Sequence, residues 1–225
     1  MSNVRPHMGE PLRKSTIAVS EAAIVSTICF GLFIVWSTQA VMSGFPEAKF
    51  SDSSNIWMIL VEFVLATTAL LYLHVRNFDV RSLYPQPNLR GTLWGLGAFL
   101  SAWLVGAIVT APFVAPERPQ VAEFSFQGVS LASNVAFAMV NGAFEEVFLL
   151  GVLVRGLRGY GLSVAVGLPL LVRVLYHLYQ GPLGAIWILA FGLTFTVFYL
   201  RVRQLWPLVL AHTLWDIVPL YAAGA

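Results

Sequence analysis

The sequence predicts an all-α protein, a polytopic transmembrane bundle of about seven membrane helices. The first observation is composition: of 225 residues, 58% are hydrophobic and only 11% are charged, whereas soluble domains carry about 25% charged residues. The second is spacing, because apolar stretches of roughly 20 residues, long enough to cross a bilayer, recur along the whole chain. We therefore expect a multi-pass protein of the cell membrane that contacts the lipid bilayer. The net charge of +2 is too small to suggest a nucleic-acid partner.

Seven apolar stretches define the predicted helices in order. They cover residues 17–42, 56–75, 91–114, 129–154, 161–180, 183–200 and 204–221. Residues 1–16 form a polar, basic tail, and 17–225 form a single transmembrane domain. Pro169 is expected to break the fifth stretch and leave 161–168 as an interfacial piece. The lone Cys29 excludes an intrachain disulfide.

The distribution of basic residues predicts the orientation of these helices. With the N-terminus inside, the inner segments hold ten basic residues: Arg5, Arg13, Lys14, Arg76, Arg81, Arg90, Arg155, Arg158, Arg201 and Arg203. The outer segments hold two, Lys49 and Arg118. Because basic residues concentrate in cytoplasmic loops, we expect a cytoplasmic N-terminus and, after seven crossings, a C-terminus outside.

Two adjacent glutamates in the fourth stretch, Glu145 and Glu146, are the strongest sign of function. A charged group at membrane depth costs several kcal/mol unless it is paired or hydrated. Neighbouring residues of a helix point about 100° apart, so the two carboxylates cannot face one group equally. We expect one to hold a water molecule while the other makes a structural contact.

Two later stretches also carry polar residues at helical spacing. Arg173 and His177 are four residues apart, and so are His212 and Asp216, so each pair shares a helix face. A buried arginine needs a carboxylate partner, and Glu146 is the expected one. We expect Glu145, His177 and His212 to surround one polar cavity.

Taken together, these segments resemble the CPBP family, which includes the type II CAAX prenyl proteases and the bacterial Abi proteins. That family shows Glu-Glu-x-x-x-Arg, Phe-x-x-x-His and His-x-x-x-Asn or Asp on successive membrane helices. The corresponding strings are Glu145-Glu146-x-x-x-Leu150, Arg173-x-x-x-His177 and His212-x-x-x-Asp216, within a family-like catalytic core at about 129–221. The motif's arginine is replaced by Leu150 and its phenylalanine by Arg173, so Arg173 is expected to supply the missing cation as structural support.

The resemblance implies an intramembrane endopeptidase that hydrolyses a peptide bond in a protein or peptide substrate. Glu145 would activate water as general base, beside Glu146. His177 would share that water and pass a proton to the leaving amine, and His212 would donate to the oxyanion. Asp216 would donate when protonated or accept from His212 and fix its tautomer.

The metal requirement and the reaction class stay open at this level. The family has long been described as metalloproteases, and Glu145, His177 and His212 could hold zinc. No His-Glu-x-x-His helix is present, and a water activated by glutamate explains the same residues, so we expect no tightly bound metal. Buried acidic and histidine residues also mark proton-coupled transporters. A non-catalytic membrane scaffold or immunity protein is a further alternative.

Overall fold

The computed structural model of the protein describes residues 14–114, 123–126 and 128–222. Its helices are α1 (Val19–Met42), α2 (Asp52–Val75), α3 (Leu89–Thr110), α4 (Leu131–Glu146), α5 (Leu162–His177), α6 (Gly181–Val202) and α7 (Trp206–Ala222). A π-helical segment, Val147–Val154, continues α4. The all-α prediction is confirmed; residues 1–13 of the predicted tail lie outside the described residues.

The structure shows fewer candidate membrane spans than the seven that the sequence predicts. In the described residues, five helical stretches are long and apolar enough to span a bilayer. The fifth is the joined stretch Leu162–Val202, which contains α5 and α6. With only 17 residues, α7 is shorter than the ~20 residues of an ordinary span. The predicted count of seven crossings is therefore not confirmed, and the orientation of the termini stays a prediction.

The helices pack so that α4 is enclosed. The last helix, α7, lies against both α3 and α4, while α3 also packs on α6, α1 on α5, and α2 on α4. Small residues allow the closest approaches, as is usual between membrane helices. A Cβ on Gly142 of α4 would lie 3.0 Å from the backbone nitrogen of Thr213, and one on Gly95 of α3 would lie 2.7 Å from the carbonyl oxygen of Pro207.

Polar contacts hold α2 and α4 together where both helices begin. The side chain of Ser51 accepts a hydrogen bond from the backbone of Ser54 and caps α2. Asp52 accepts hydrogen bonds from the backbone of Ser130 at 2.7 Å and from the hydroxyl of Ser133. Beside them, the short strands β1 (Ala48–Lys49) and β2 (Phe124–Ser125) pair in parallel. These contacts fix the register between α2 and α4.

The fifth apolar stretch is not broken at Pro169. Helix α5 runs from Leu162 to His177 with Pro169 inside it, so the predicted interfacial piece at 161–168 is wrong. Proline removes one backbone hydrogen bond, but a membrane helix tolerates it where neighbouring groups compensate. The helix ends instead at His177, where a short 3₁₀ turn, Leu178–Gln180, leads into α6.

Candidate active site

The three motif segments meet inside the bundle, at the end of α4, in α5 and in α7. Glu145, Glu146, Arg173 and His212 are all at least 95% buried. The rings of Phe191 and Phe195 on α6 lie edge-on to the imidazole of His212, at 5.2 and 6.2 Å between centroids. Charged and titratable groups thus share one enclosed, partly aromatic space.

Glu146 is held by two partners at one carboxylate oxygen. Its Oε1 accepts a hydrogen bond from Nη2 of Arg173 at 2.8 Å and one from Nδ1 of His212 at 2.6 Å. The predicted pairing of Arg173 with Glu146 is confirmed. Gly192 makes room for it, because a Cβ there would lie 2.8 Å from Cδ of Arg173. In this pair, Arg173 of α5 supplies the positive charge that the usual family motif would carry on α4.

Glu145 faces the opposite side of the same imidazole. Its Oε2 lies 3.8 Å from Nε2 of His212 and accepts a hydrogen bond from the hydroxyl of Tyr176. The two adjacent glutamates therefore flank His212, one at each ring nitrogen. Glu146 thus makes the structural contact expected of one glutamate, and the water expected at the other stays a prediction.

Glu145 and Glu146 are the last residues of α4 before the π-helical segment. All but one residue of that segment are buried, and π-helical turns are rare and often occur at functional sites. Leu150, which replaces the family's arginine, lies within it and packs in the same buried cluster as Phe191. The change of helical register begins directly after the two carboxylates.

Asp216 also points towards His212. Its Oδ1 lies 3.7 Å from Nε2 of His212, and its Oδ2 accepts a hydrogen bond from the side-chain amide of Asn141 at 2.8 Å. The direct hydrogen bond of the imidazole is donated by Nδ1 to Glu146 instead. Glu146 is thus the closer carboxylate, and the roles expected of Asp216 stay predictions.

His177 lies at the edge of this arrangement. Its Nδ1 donates to the backbone carbonyl of Arg173 at 3.0 Å, which leaves Nε2 as the free ring atom in the neutral form. The ring packs against Tyr176 at 4.3 Å between centroids. Tyr176, which the motif does not include, thus contacts both His177 and Glu145.

Residues 126–218 match the family model of type II CAAX prenyl endopeptidase Rce1-like proteins. This match covers less than half of the chain and supports a CPBP-type domain at these residues. The match contains all three motif segments and α4 to α7 almost completely, whereas α1 to α3 lie outside it. No curated protein and no solved structure matches the chain significantly. The match supports a CAAX-type intramembrane protease domain, and the five candidate spans support a multi-pass membrane protein.

Two further residues near this site, Tyr176 and Glu62, were not predicted from the sequence. Tyr176 was visible only as part of a motif string, and nothing in its spacing indicated a contact with Glu145. Glu62 of α2 is 98% buried and interacts electrostatically with Glu145, Asp216 and His212. An acidic residue in the middle of the second apolar stretch was the available signal, because such residues are rare in membrane helices.

Some buried polar atoms of the site lack partners. Among the described residues, Oε2 of Glu146, Nη1 of Arg173 and Oε2 of Glu62 have no hydrogen-bond partner. Buried polar groups are nearly always hydrogen-bonded, so each of these atoms can still bind a water molecule or a polar group of a substrate.

Three side chains of the site could act as zinc ligands. Within the described part of the chain, Glu145, Glu146 and His212 offer ligand atoms within 4.8 Å of one another; His177, which the sequence suggested as a ligand, is not in this group. However, Glu146 already accepts bonds from an arginine and from the same histidine. A zinc ion at this carboxylate would compete with the Arg173 guanidinium, and the expectation of no tightly bound metal stays a prediction.

Proposed function

We propose that the protein hydrolyses a peptide bond in the membrane with a water molecule activated by Glu145. The observation that carries this proposal is the unequal bonding of the two glutamates. Arg173 and His212 both bond to Glu146, whereas Glu145 is bonded to the neutral hydroxyl of Tyr176. A carboxylate that is not bonded to a cation is the better general base.

The water would sit between Glu145 and His212. The 3.8 Å between Oε2 of Glu145 and Nε2 of His212 exceeds a direct hydrogen bond, and separations of this kind are commonly bridged by water. Glu145 takes a proton as the water oxygen bonds to the carbonyl carbon, which forms a tetrahedral oxyanion. When the carbon–nitrogen bond breaks, the leaving amine receives the proton that Glu145 took from the water. His177, which lies beside Tyr176, would relay this proton.

His212 is proposed to stabilise the oxyanion. Its Nδ1–H is committed to Glu146, so Nε2 must carry a second proton to donate. The mechanism therefore requires an imidazolium at this moment, and the carboxylates of Glu145, Glu146 and Asp216 surround it. Asp216, held by Asn141, can donate to the oxyanion when it is protonated, as the asparagine of other family members can without a proton.

The enclosure of the site supports a substrate that enters from the bilayer. A water-excluded setting strengthens each electrostatic contact with the transition state. We propose that no metal takes part. Dialysis against a strong chelator should leave the activity unchanged, with the metal content measured in parallel; a loss of activity that added zinc restores would contradict this.

The proposal is tested by comparing the membrane proteomes of cells that make the wild-type protein or the Glu145→Gln variant. We expect a new peptide terminus that appears only with the wild type. Glu47→Gln, a change at a half-exposed loop side chain, is the control and should behave as the wild type does. The same cleavage with Glu145→Gln would exclude Glu145 as the base. If the wild type produces no cleavage and Glu145→Gln changes nothing in the cells, the scaffold alternative is favoured. Proton flux that depends on Glu145 but is not accompanied by cleavage would favour a transporter.

A further inference from the structure

A second polar cavity lies outside the candidate active site, at a level where several helices begin or end. It is a cavity of about 280 Å³ whose lining includes Arg155, Arg158, Arg203, Asn88 and Tyr199. Pockets for drug-sized ligands measure about 300–1,000 Å³, so this cavity suits a smaller polar group. None of the residues used by the proposed protease chemistry lines it.

The positive charge of this cavity is uncompensated. Three arginines line it, and its described lining contains no acidic side chain. Among the described residues, none of the three forms an ion pair with a carboxylate. Three like charges that converge in this way repel one another, and a bound anion would remove that repulsion.

Arg155 is held in place for such an anion. Its Nη2 donates to the hydroxyl of Ser82 at 2.8 Å, and its guanidinium lies 5.1 Å from the ring centre of Phe78. Its Nε is buried and has no hydrogen-bond partner among the described residues. Arginine binds phosphate oxygens through several parallel N–H groups, so an oriented guanidinium with an unused N–H is suited to this ligand.

The start of a helix faces the same cavity. Asn88, one of the lining residues, caps α3 by accepting a hydrogen bond from the backbone of Gly91 at 2.8 Å. The N-terminus of a helix carries a partial positive charge that favours anions. It therefore adds to the field of the three arginines.

The cavity lies where the apolar stretches end. Arg155 directly follows the span Leu131–Val154, Arg203 follows Leu162–Val202, and Asn88 precedes Leu89–Phe113. These positions correspond to the headgroup level of a bilayer, where basic pockets between helices bind lipid headgroups. We propose that this cavity binds the phosphate of an anionic phospholipid headgroup through Arg155, Arg158 and Arg203.

The test uses the purified full-length protein in a neutral detergent at fixed ionic strength. Short-chain phosphatidylglycerol, short-chain phosphatidylcholine and inorganic phosphate are titrated separately, and the unfolding temperature is followed, because a ligand that binds the native state raises it. We expect saturable stabilisation by phosphatidylglycerol, much weaker stabilisation by phosphatidylcholine, and competition by inorganic phosphate only at high concentration.

Variants decide whether the arginines of the cavity are responsible. Arg158→Gln and Arg203→Gln should each weaken phosphatidylglycerol binding by about tenfold or more, the equivalent of one charge-assisted hydrogen bond. The control is Arg201→Gln, which removes an exposed charge at the same end of α6 outside the lining and should retain wild-type affinity. Arg155→Gln is included as a third variant. Because Arg155 packs on Phe78 and Ser82, this variant could fail to fold, and the test then depends on Arg158→Gln and Arg203→Gln.

Any of three results would overturn the proposal. An equal loss of affinity in Arg201→Gln and Arg203→Gln would show diffuse attraction to surface charge, and equal responses to both phospholipids would show no anion selectivity. Tight, saturable binding of inorganic phosphate that phosphatidylglycerol does not displace would keep the phosphate site but overturn its assignment to a lipid.

Discussion

The spans of the first three helices and the span that contains α4 are similarly apolar but differ in how deeply they are buried. In the most apolar part of α4 and its π-helical continuation, 67% of the residues are buried, compared with 22%, 17% and 22% in the spans of α1, α2 and α3. The C-terminal part also holds both glutamates, the buried arginine and His212. Hydropathy thus marks membrane helices without distinguishing those that face lipid from the one at the centre.

The candidate catalytic residues are concentrated in the region that matches the family model, residues 126–218, while α1 and α2 pack against α5 and α4. Phe30 of α1 stacks on Tyr176 at 4.9 Å between ring centroids. Ser37 of α1 accepts a hydrogen bond from the backbone of Tyr179 at 2.9 Å, and Glu62 of α2 is buried beside the site. We therefore expect substitutions of the C-terminal site residues to have large effects on stability or cleavage rate, and substitutions of these α1 and α2 residues to have smaller ones.

The largest effect is expected from Arg173→Leu. Removing one partner of a buried ion pair leaves an uncompensated charge on Glu146 and typically costs about 3–5 kcal/mol. The free energy of unfolding in detergent measures this, with Arg90→Leu, an exposed change on α3, as the control.

The double variant Leu150→Arg with Arg173→Phe should recover much of that loss. It restores the usual family arrangement, and both positions border Phe191, since Leu150 shares its buried cluster and the Arg173 guanidinium lies 5.2 Å from its ring. A harmless Arg173→Leu change would remove the proposed role of the pair.

His212→Ala should lower the rate of peptide cleavage by about 10²–10³-fold, as loss of an oxyanion donor does. Asp216→Asn is the matched comparison on the same helix, and it should stay within about tenfold of the wild type because an amide can donate without a proton. Single-turnover rates on a cleaved substrate measure both. Equal losses in the two variants would contradict the separate roles of these residues.

Ser37→Ala tests the support that α1 gives to the end of α5. The change leaves the backbone N–H of Tyr179 without its partner, which typically costs about 1–3 kcal/mol in stability. Ser26→Ala is the control on the same helix, since the Ser26 hydroxyl is buried without a partner among the described residues. If both variants unfold alike, the Ser37 contact does not stabilise the site.

Glu62→Gln should have the smallest effect, a fall in cleavage rate of about tenfold or less, because among the described residues Glu62 forms no ion pair with a group of the site. The change replaces a buried carboxyl by an amide of nearly the same shape. A loss as complete as that of Glu145→Gln would place Glu62 in the catalytic machinery and break the division between the two regions.

The pairing of Arg173 with Glu146 was predictable because a buried cation in hydrocarbon must have a carboxylate, and only a few carboxylates lie in apolar stretches. The positions of Tyr176, Asn141 and Glu62 in the site could not be predicted from the sequence, because each depends on which helix faces meet. Spacing along a helix defines its own face and carries no information about the face opposite.

The sequence by itself determined that the chain is an all-α membrane protein and that its motif segments, between α4 and α7, resemble those of the CPBP family. Hydropathy and the order of a few rare residues are local properties, and they can be read without a fold. Only the tertiary structure decided that Glu145 and Glu146 flank one imidazole, that Glu146 rather than Asp216 bonds to it, and that α5 continues through Pro169. These are consequences of how helices distant in sequence pack, where differences of a few ångströms determine which polar groups can bond.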